Sequence, residues 1–138
     1  MAELVCQFVR PDRQLYEGKV EYLILQAESG ELGVWPGHSP EICALGDGVV
    51  RLHRTKEDGG GELDIVISGG YAEITGDAVI ILADHARRCD DIEPDVVMET
   101  RGSAIDARDA LPEGDPRRAY YENKINWCNL LLKQAARN

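Results

Sequence analysis

The chain has 138 residues, and 43% of them are hydrophobic: enough for one packed domain with an appendage, too many for a disordered chain. The formal charge of −10 excludes nucleic acid as a partner, because a phosphate backbone needs a basic face. No apolar run reaches the roughly 18 residues of a membrane span, so no direct membrane insertion is expected, and MAELVCQFVRPDR alternates polar and apolar residues instead of reading as a signal peptide.

In chain order, residues 1–88 read as short strands separated by turns. ELVCQFV alternates, with Leu4, Cys6 and Phe8 on one face. KVEYLILQA sets Val20, Tyr22, Ile24 and Gln26 against Glu21, Leu23, Leu25 and Ala27. GVVRLHR, ELDIVIS, YAEIT and AVIILAD continue the pattern. The pairs Pro36-Gly37, Gly69-Gly70 and Gly76-Asp77 read as turns, and EDGGG at 57–61 as an exposed hairpin tip. Strand signals at this spacing predict an antiparallel sandwich or barrel rather than βαβ units.

Residues 89–138 change character. Asp90 and Asp91 read as a cap region before a helix opening near Pro94, weakened inside by Gly102. Asp115-Pro116 reads as a second helix start. Along that helix Tyr121, Ile125, Cys128, Leu132 and Ala135 form one apolar seam, flanked by Tyr120, Trp127 and Leu131. From Pro116 onward five basic residues (Arg117, Arg118, Lys124, Lys133, Arg137) face one acid, Glu122, a local charge of +4 on an otherwise acidic chain.

Chemistry is sparse. Cys6, Cys43, Cys89 and Cys128 are far apart with no CxxC pair, so neither a zinc site nor a disulfide framework is expected. His38, His53 and His85 make no metal-binding pair, Ser68 lacks a GxSxG elbow, and no phosphate-binding loop occurs. The stretch GELGVWPGHSP (30–40) is either a catalytic loop around His38 or a turn that presents a surface. No nucleophile, base and orienter assemble with His38, which favours a noncatalytic β-domain bearing a helical arm. Gly30 and Gly33 read as tight-turn residues, and Trp35 as a packed anchor.

GELGVWPGHSP resembles the GELGxxPGHxP signature of the epsilon subunit of the rotary F-type ATP synthase. LYEGKVEYL, DGVVRL, SGGYAEI and VIILADHARR are similar to the later blocks of that family in order and spacing, whereas the helical tail matches in length and layout only. The resemblance implies a ten-stranded antiparallel β-sandwich over 1–88, then a two-helix hairpin over 89–138. It implies a noncatalytic rotor subunit without cofactor or metal, coupling proton-driven rotation to ATP synthesis. Its place would be peripheral, on the cytoplasmic face of the cell membrane. The implied partners are the gamma subunit, the ring of c subunits, and the catalytic head, which the arm reaches when extended. Glu31, Gly33 and His38 would lie at the ring contact, with His38 either touching the ring or only shaping the loop. SGGYAEI and ILADHARR would help build the gamma-facing side.

The resemblance also makes the arm an inhibitor of ATP hydrolysis. Arg117, Arg118, Lys124 and Lys133 would face acidic loops of the head, and Tyr121, Ile125, Cys128 and Leu132 would pack on the sandwich or on gamma. Several family members bind ATP through an IDxxRA-like motif. The aligned stretch here is IEPDVV: Ile92 is kept, Glu93 replaces the aspartate, and Val96 and Val97 replace Arg-Ala, so no ATP binding is expected. The competing reading is a free-standing β-sandwich that binds a ligand or peptide.

Overall fold

ELVCQFV becomes β1 (Leu4–Arg10), with Leu4, Cys6 and Phe8 fully buried, in the computed structural model, which describes residues 3–137 of the chain. The remaining strands are β2 (Arg13–Ala27), β3 (Gly30–Val34), β4 (Glu41–Ala44), β5 (Gly48–Arg54), β6 (Glu62–Ile74) and β7 (Ala78–Arg88). Strand β1 pairs with both β7 and β2, so β1-β7-β6-β5-β2 closes on itself, with β3 added beside β2 and β4 beside β6. All pairings are antiparallel except β1 with β7, which is parallel. A closed ring of five strands cannot alternate direction throughout, so one pair must run parallel. The expectation of a wholly antiparallel sheet is corrected at this pair.

Among the described residues the strand count is seven, not ten. Three long strands change which side faces the core part-way along, so each does the work of two. In β2 the buried set shifts from Tyr16 and Val20 to Leu23 and Leu25, where the pairing with β5 slips between Val20 and Tyr22. In β6 it shifts from Leu63, Ile65 and Ile67 to Ala72 and Ile74. In β7 it shifts from Val79, Ile81 and Ala83 to Ala86. The two shifts lie opposite each other, because Ser68 pairs with His85 and Gly70 with Ala83. Gly69 and Gly70, read from the sequence as a turn, sit inside β6 with φ of +74° and +125°. They let the β6–β7 ladder continue while its faces exchange.

The chain divides into two units, Met1–Asp90 and Asp91–Asn138. The second consists of α1 (Pro94–Asp109) and α2 (Arg117–Ala135). Pro94 occupies the first turn of α1 as expected. Asp90 and Asp91 do not cap it: they lie in a single 3₁₀ turn over Cys89–Asp91, and Glu93 holds the cap position without a side-chain bond. Asp115 does serve α2, its Oδ1 accepting from the backbone N–H of Arg117 at 2.9 Å. The most buried residues of α2 are Ile125, Cys128 and Leu131, while Tyr121, Leu132 and Ala135 are half-buried. The seam therefore turns toward Leu131, expected on the flank, which is 1% exposed.

Candidate functional site

Three surfaces gather the residues singled out above. The first is the segment 30–40. Gly30 takes φ +130° just after the β2–β3 turn, a conformation suited to glycine. Gly33 is not a turn residue: it sits in β3 opposite Ile24. Its missing side chain makes room for the Trp35 ring, which a Cβ at Gly33 would strike. Trp35 is 53% exposed yet ordered by stacking: its ring lies 5.1 Å from that of Tyr22, and Tyr22 lies 4.8 Å from His53. The anchor expected at Trp35 is thus an exposed ring held from one side, outside the core.

Pro36-Gly37 forms the turn, closed by the His38 N–H donating to the Trp35 carbonyl at 3.1 Å. Gly37 has φ +89°, and its N–H donates to the Gly76 carbonyl at 2.7 Å, tying this loop to the β6–β7 turn. His38 is half-buried, and its Nδ1 donates to the Ser39 carbonyl at 2.6 Å. Glu31 is exposed near the other end of β3, where Gln26 Nε2 reaches it at 3.5 Å. Four residues of strand separate Glu31 from Trp35 by about 13 Å. Glu31 and the His38 loop therefore belong to opposite ends of one strand.

Three of the four cysteines are held as thiols. Burial pushes the Cys6 thiol up to about 12 and, helped by Asp64 and Asp90, the Cys89 thiol to about 11, and it raises Cys43 as well. All three stay protonated at neutral pH and are poor nucleophiles. Among the described residues no cluster of His, Cys, Asp and Glu could hold a metal ion.

The second surface is an outer sheet face across β4, β6, β7 and β1. Ile42 pairs with Glu73, Glu73 with Ile80, and Ile80 with Gln7, so these four form a row. The adjacent row is Ala44, Tyr71, Leu82 and Val9. Ile42 is 73% exposed and Tyr71 49%, and Ile80 and Val5 are exposed too. A soluble domain seldom leaves so many large apolar groups bare on one face without a partner. Tyr71 falls in a segment assigned above to a gamma-facing side, and Ile80 immediately precedes the other such segment. Ile42 was not singled out, although its placement opposite the half-buried Cys43 follows from strand alternation.

The third surface is the helical hairpin. Arg117 pairs with Asp115, Nη2 to Oδ2 at 2.7 Å and Nε to Oδ1 at 3.1 Å, and this holds the Asp115 carboxyl down to about 2. Arg118 Nη1 donates to the carbonyls of Arg108 and Leu111, each at 2.9 Å. Lys124 and Lys133 are exposed. A groove of about 560 Å³ between the helices is lined by Val96, Glu99, Ala104, Tyr121 and Lys124 among others. In the stretch aligned with the ATP motif, Val96 is exposed at that rim, Val97 is buried, Ile92 is half-buried and Glu93 stands at the helix cap. No arginine lines the groove, and Glu99 places an acid in it.

Comparison with known proteins fixes the family. A model of the ATP synthase delta/epsilon chain β-sandwich domain matches residues 3–89. The ATP synthase epsilon chain of Dichelobacter nodosus is 41% identical over 131 residues, covering 93% of this chain and 90% of that one. The chain belongs to the ATP synthase epsilon-chain family. The epsilon chain of Bacillus pumilus is 36% identical over 119 residues, 86% of this chain and 88% of that one. An alignment of 131 residues runs beyond the sandwich into the helices. The fold recurs in a chain of the Euglena gracilis mitochondrial ATP synthase, solved with OSCP, F1 and c-ring, with a TM-score of 0.69 at 23% identity over all of this chain and 83% of that one. It recurs again in the central stalk and c-ring of the Tetrahymena thermophila enzyme, with a TM-score of 0.57 at 12% identity over 96% of each chain. Membership among epsilon chains displaces the reading of a free-standing ligand-binding sandwich. It also makes the chain a component of the ATP synthase complex other than its catalytic subunit.

Proposed function

We propose that this epsilon-family chain is the rotor-side coupling subunit of a proton-driven ATP synthase, with its helical hairpin as an inhibitor of ATP hydrolysis. The observation that carries the coupling role is the bare apolar face of Ile42, Tyr71 and Ile80 on an otherwise acidic molecule. Gamma covers this face, since a contiguous bare apolar patch of this kind marks a partner contact. Glu31, exposed at the β2–β3 end, is the group offered to the c-ring, while His38 and Gly33 shape and support their loop through Ser39 and Trp35. Among the described residues no helix is long and apolar enough to cross a membrane. The chain accordingly reaches the cytoplasmic face of the cell membrane through its partners.

For the arm, Lys124 and Lys133 are the cations presented to acidic loops of the catalytic head, and Tyr121, Ile125, Cys128 and Leu132 supply the apolar contact with gamma. Deleting residues 92–138 tests this. The assembled complex should keep its composition and hydrolyse ATP faster. Unchanged hydrolysis by an intact complex would contradict the inhibitory reading.

A further inference from the structure

Arg117 and Arg118 open α2, and no acidic residue stands in that first turn. Cations there oppose the helix dipole, because the unpaired N–H groups of a helix N-terminus already carry partial positive charge. An isolated α2 would fray at this point. In the hairpin each arginine has a compensating partner, but of different kinds. Arg117 uses Asp115, two residues away, and needs nothing from α1. Arg118 uses the carbonyls of Arg108 and Leu111, ten and seven residues back in the chain, at the C-terminal end of α1. That end is the negative pole of α1, where a guanidinium is favoured. Arg118 is thus badly placed for its own helix and well placed for the neighbouring one.

We infer that Arg118 is the latch of the hairpin: its guanidinium holds α2 against α1 when folded and turns to an anionic partner only when the two helices separate. The two states exclude each other on geometry. If the chain from Arg108 to Arg118 ran as continuous helix, it would span about 15 Å, beyond the reach of one arginine side chain. The contacts exist only because the chain reverses between α1 and α2. A second clasp, Arg101 Nε to Asn129 Oδ1 at 2.6 Å, joins the helices nearer their middle but is exposed, whereas the Arg118 contacts are half-buried. Latching and charge presentation reside in one group, so opening the hairpin exposes a cation that closing it conceals. The second half of the inference rests on the arm reading proposed above; the first half does not.

Hydrogen exchange on the full chain tests the latch. In Arg118→Gln, amides over 97–105 in α1 and 125–131 in α2 should exchange together, faster by on the order of tenfold, because hydrogen bonds from a charged donor are lost on one side of the opening equilibrium. Arg117→Gln, whose partner is local, should leave those distant amides unchanged. Sandwich amides in β6 and β7 should not respond to either variant. Acceleration confined to 108–119, or none at all, would reduce Arg118 to a simple cap and overturn the inference. Arg118→Lys in the assembled complex separates the latch from the reading beneath it. The lysine keeps the charge but loses the planar fork, so the hairpin should open more readily and hydrolysis should fall. Faster exchange with unchanged hydrolysis would contradict the inhibitory role and leave the latch standing.

Discussion

Gly70→Ala is the sharpest test of how β6 and β7 change faces. Gly70 sits at φ +125°, a conformation that L-residues rarely adopt, and a Cβ there would run into the Leu82 carbonyl and lie 2.8 Å from the Ala83 Cα. Both obstacles are backbone of the paired strand and cannot rotate away. Backbone strain contributes about 1–3 kcal/mol, and displacing the ladder adds to it. The gain of about 0.4–1 kcal/mol from a stiffer unfolded chain offsets little of this. A net loss of roughly 3 kcal/mol is expected, which for a unit of this size lowers the melting temperature by roughly 10–20 °C. Urea denaturation followed by the β-sheet circular dichroism signal measures it. Gly76→Ala is the control: no atom lies within 4 Å of its built Cβ, so it should be neutral or slightly stabilising. If Gly70→Ala and Gly76→Ala proved equally stable, the account of a strand crossing at Gly70 would be wrong.

Other expectations concern the arm. The Asp115 carboxyl is held down to about 2, chiefly by its hydrogen bonds with Arg117. A depressed carboxylate stabilises above its unfolded value and loses that contribution as pH falls through the folded one. The first turn of α2 should therefore loosen between about pH 4 and pH 2, and Asp115→Asn should abolish that step in an NMR titration of the arm amides. Calorimetry of the purified chain with ATP should give no micromolar binding, because Val96 and Val97 stand where the family motif has Arg-Ala and no arginine lines the interhelical groove. Micromolar heat would refute this.

Much of the fold was legible because local chemistry and tertiary structure agree. Leu4, Cys6 and Phe8 alternate in sequence and are buried in the structure. Asp115-Pro116 marks the start of α2 in both. The failures arise where three-dimensional contacts and strand geometry override what a local residue pattern signals. Gly69-Gly70 carries the signature of a turn, yet β7 pairs alongside it without interruption. Gly33 also reads as a turn residue, yet the Trp35 ring is what requires it. Glu31 and His38 are seven positions apart in one motif, and an extended β3 carries them to opposite ends. Arg118 reads as a surface cation because its acceptors are backbone carbonyls, which no side-chain pattern reveals.

The central claim is that gamma covers the face formed by β4, β6, β7 and β1. A photoreactive phenylalanine analogue at position 71, replacing Tyr71 within the assembled synthase, tests it most directly. The same group at Glu57, exposed on the β5–β6 connection, serves as the reference. The account predicts a gamma adduct from position 71 and none from position 57. Equal adducts from both, or an adduct at 71 with any subunit other than gamma, would contradict it.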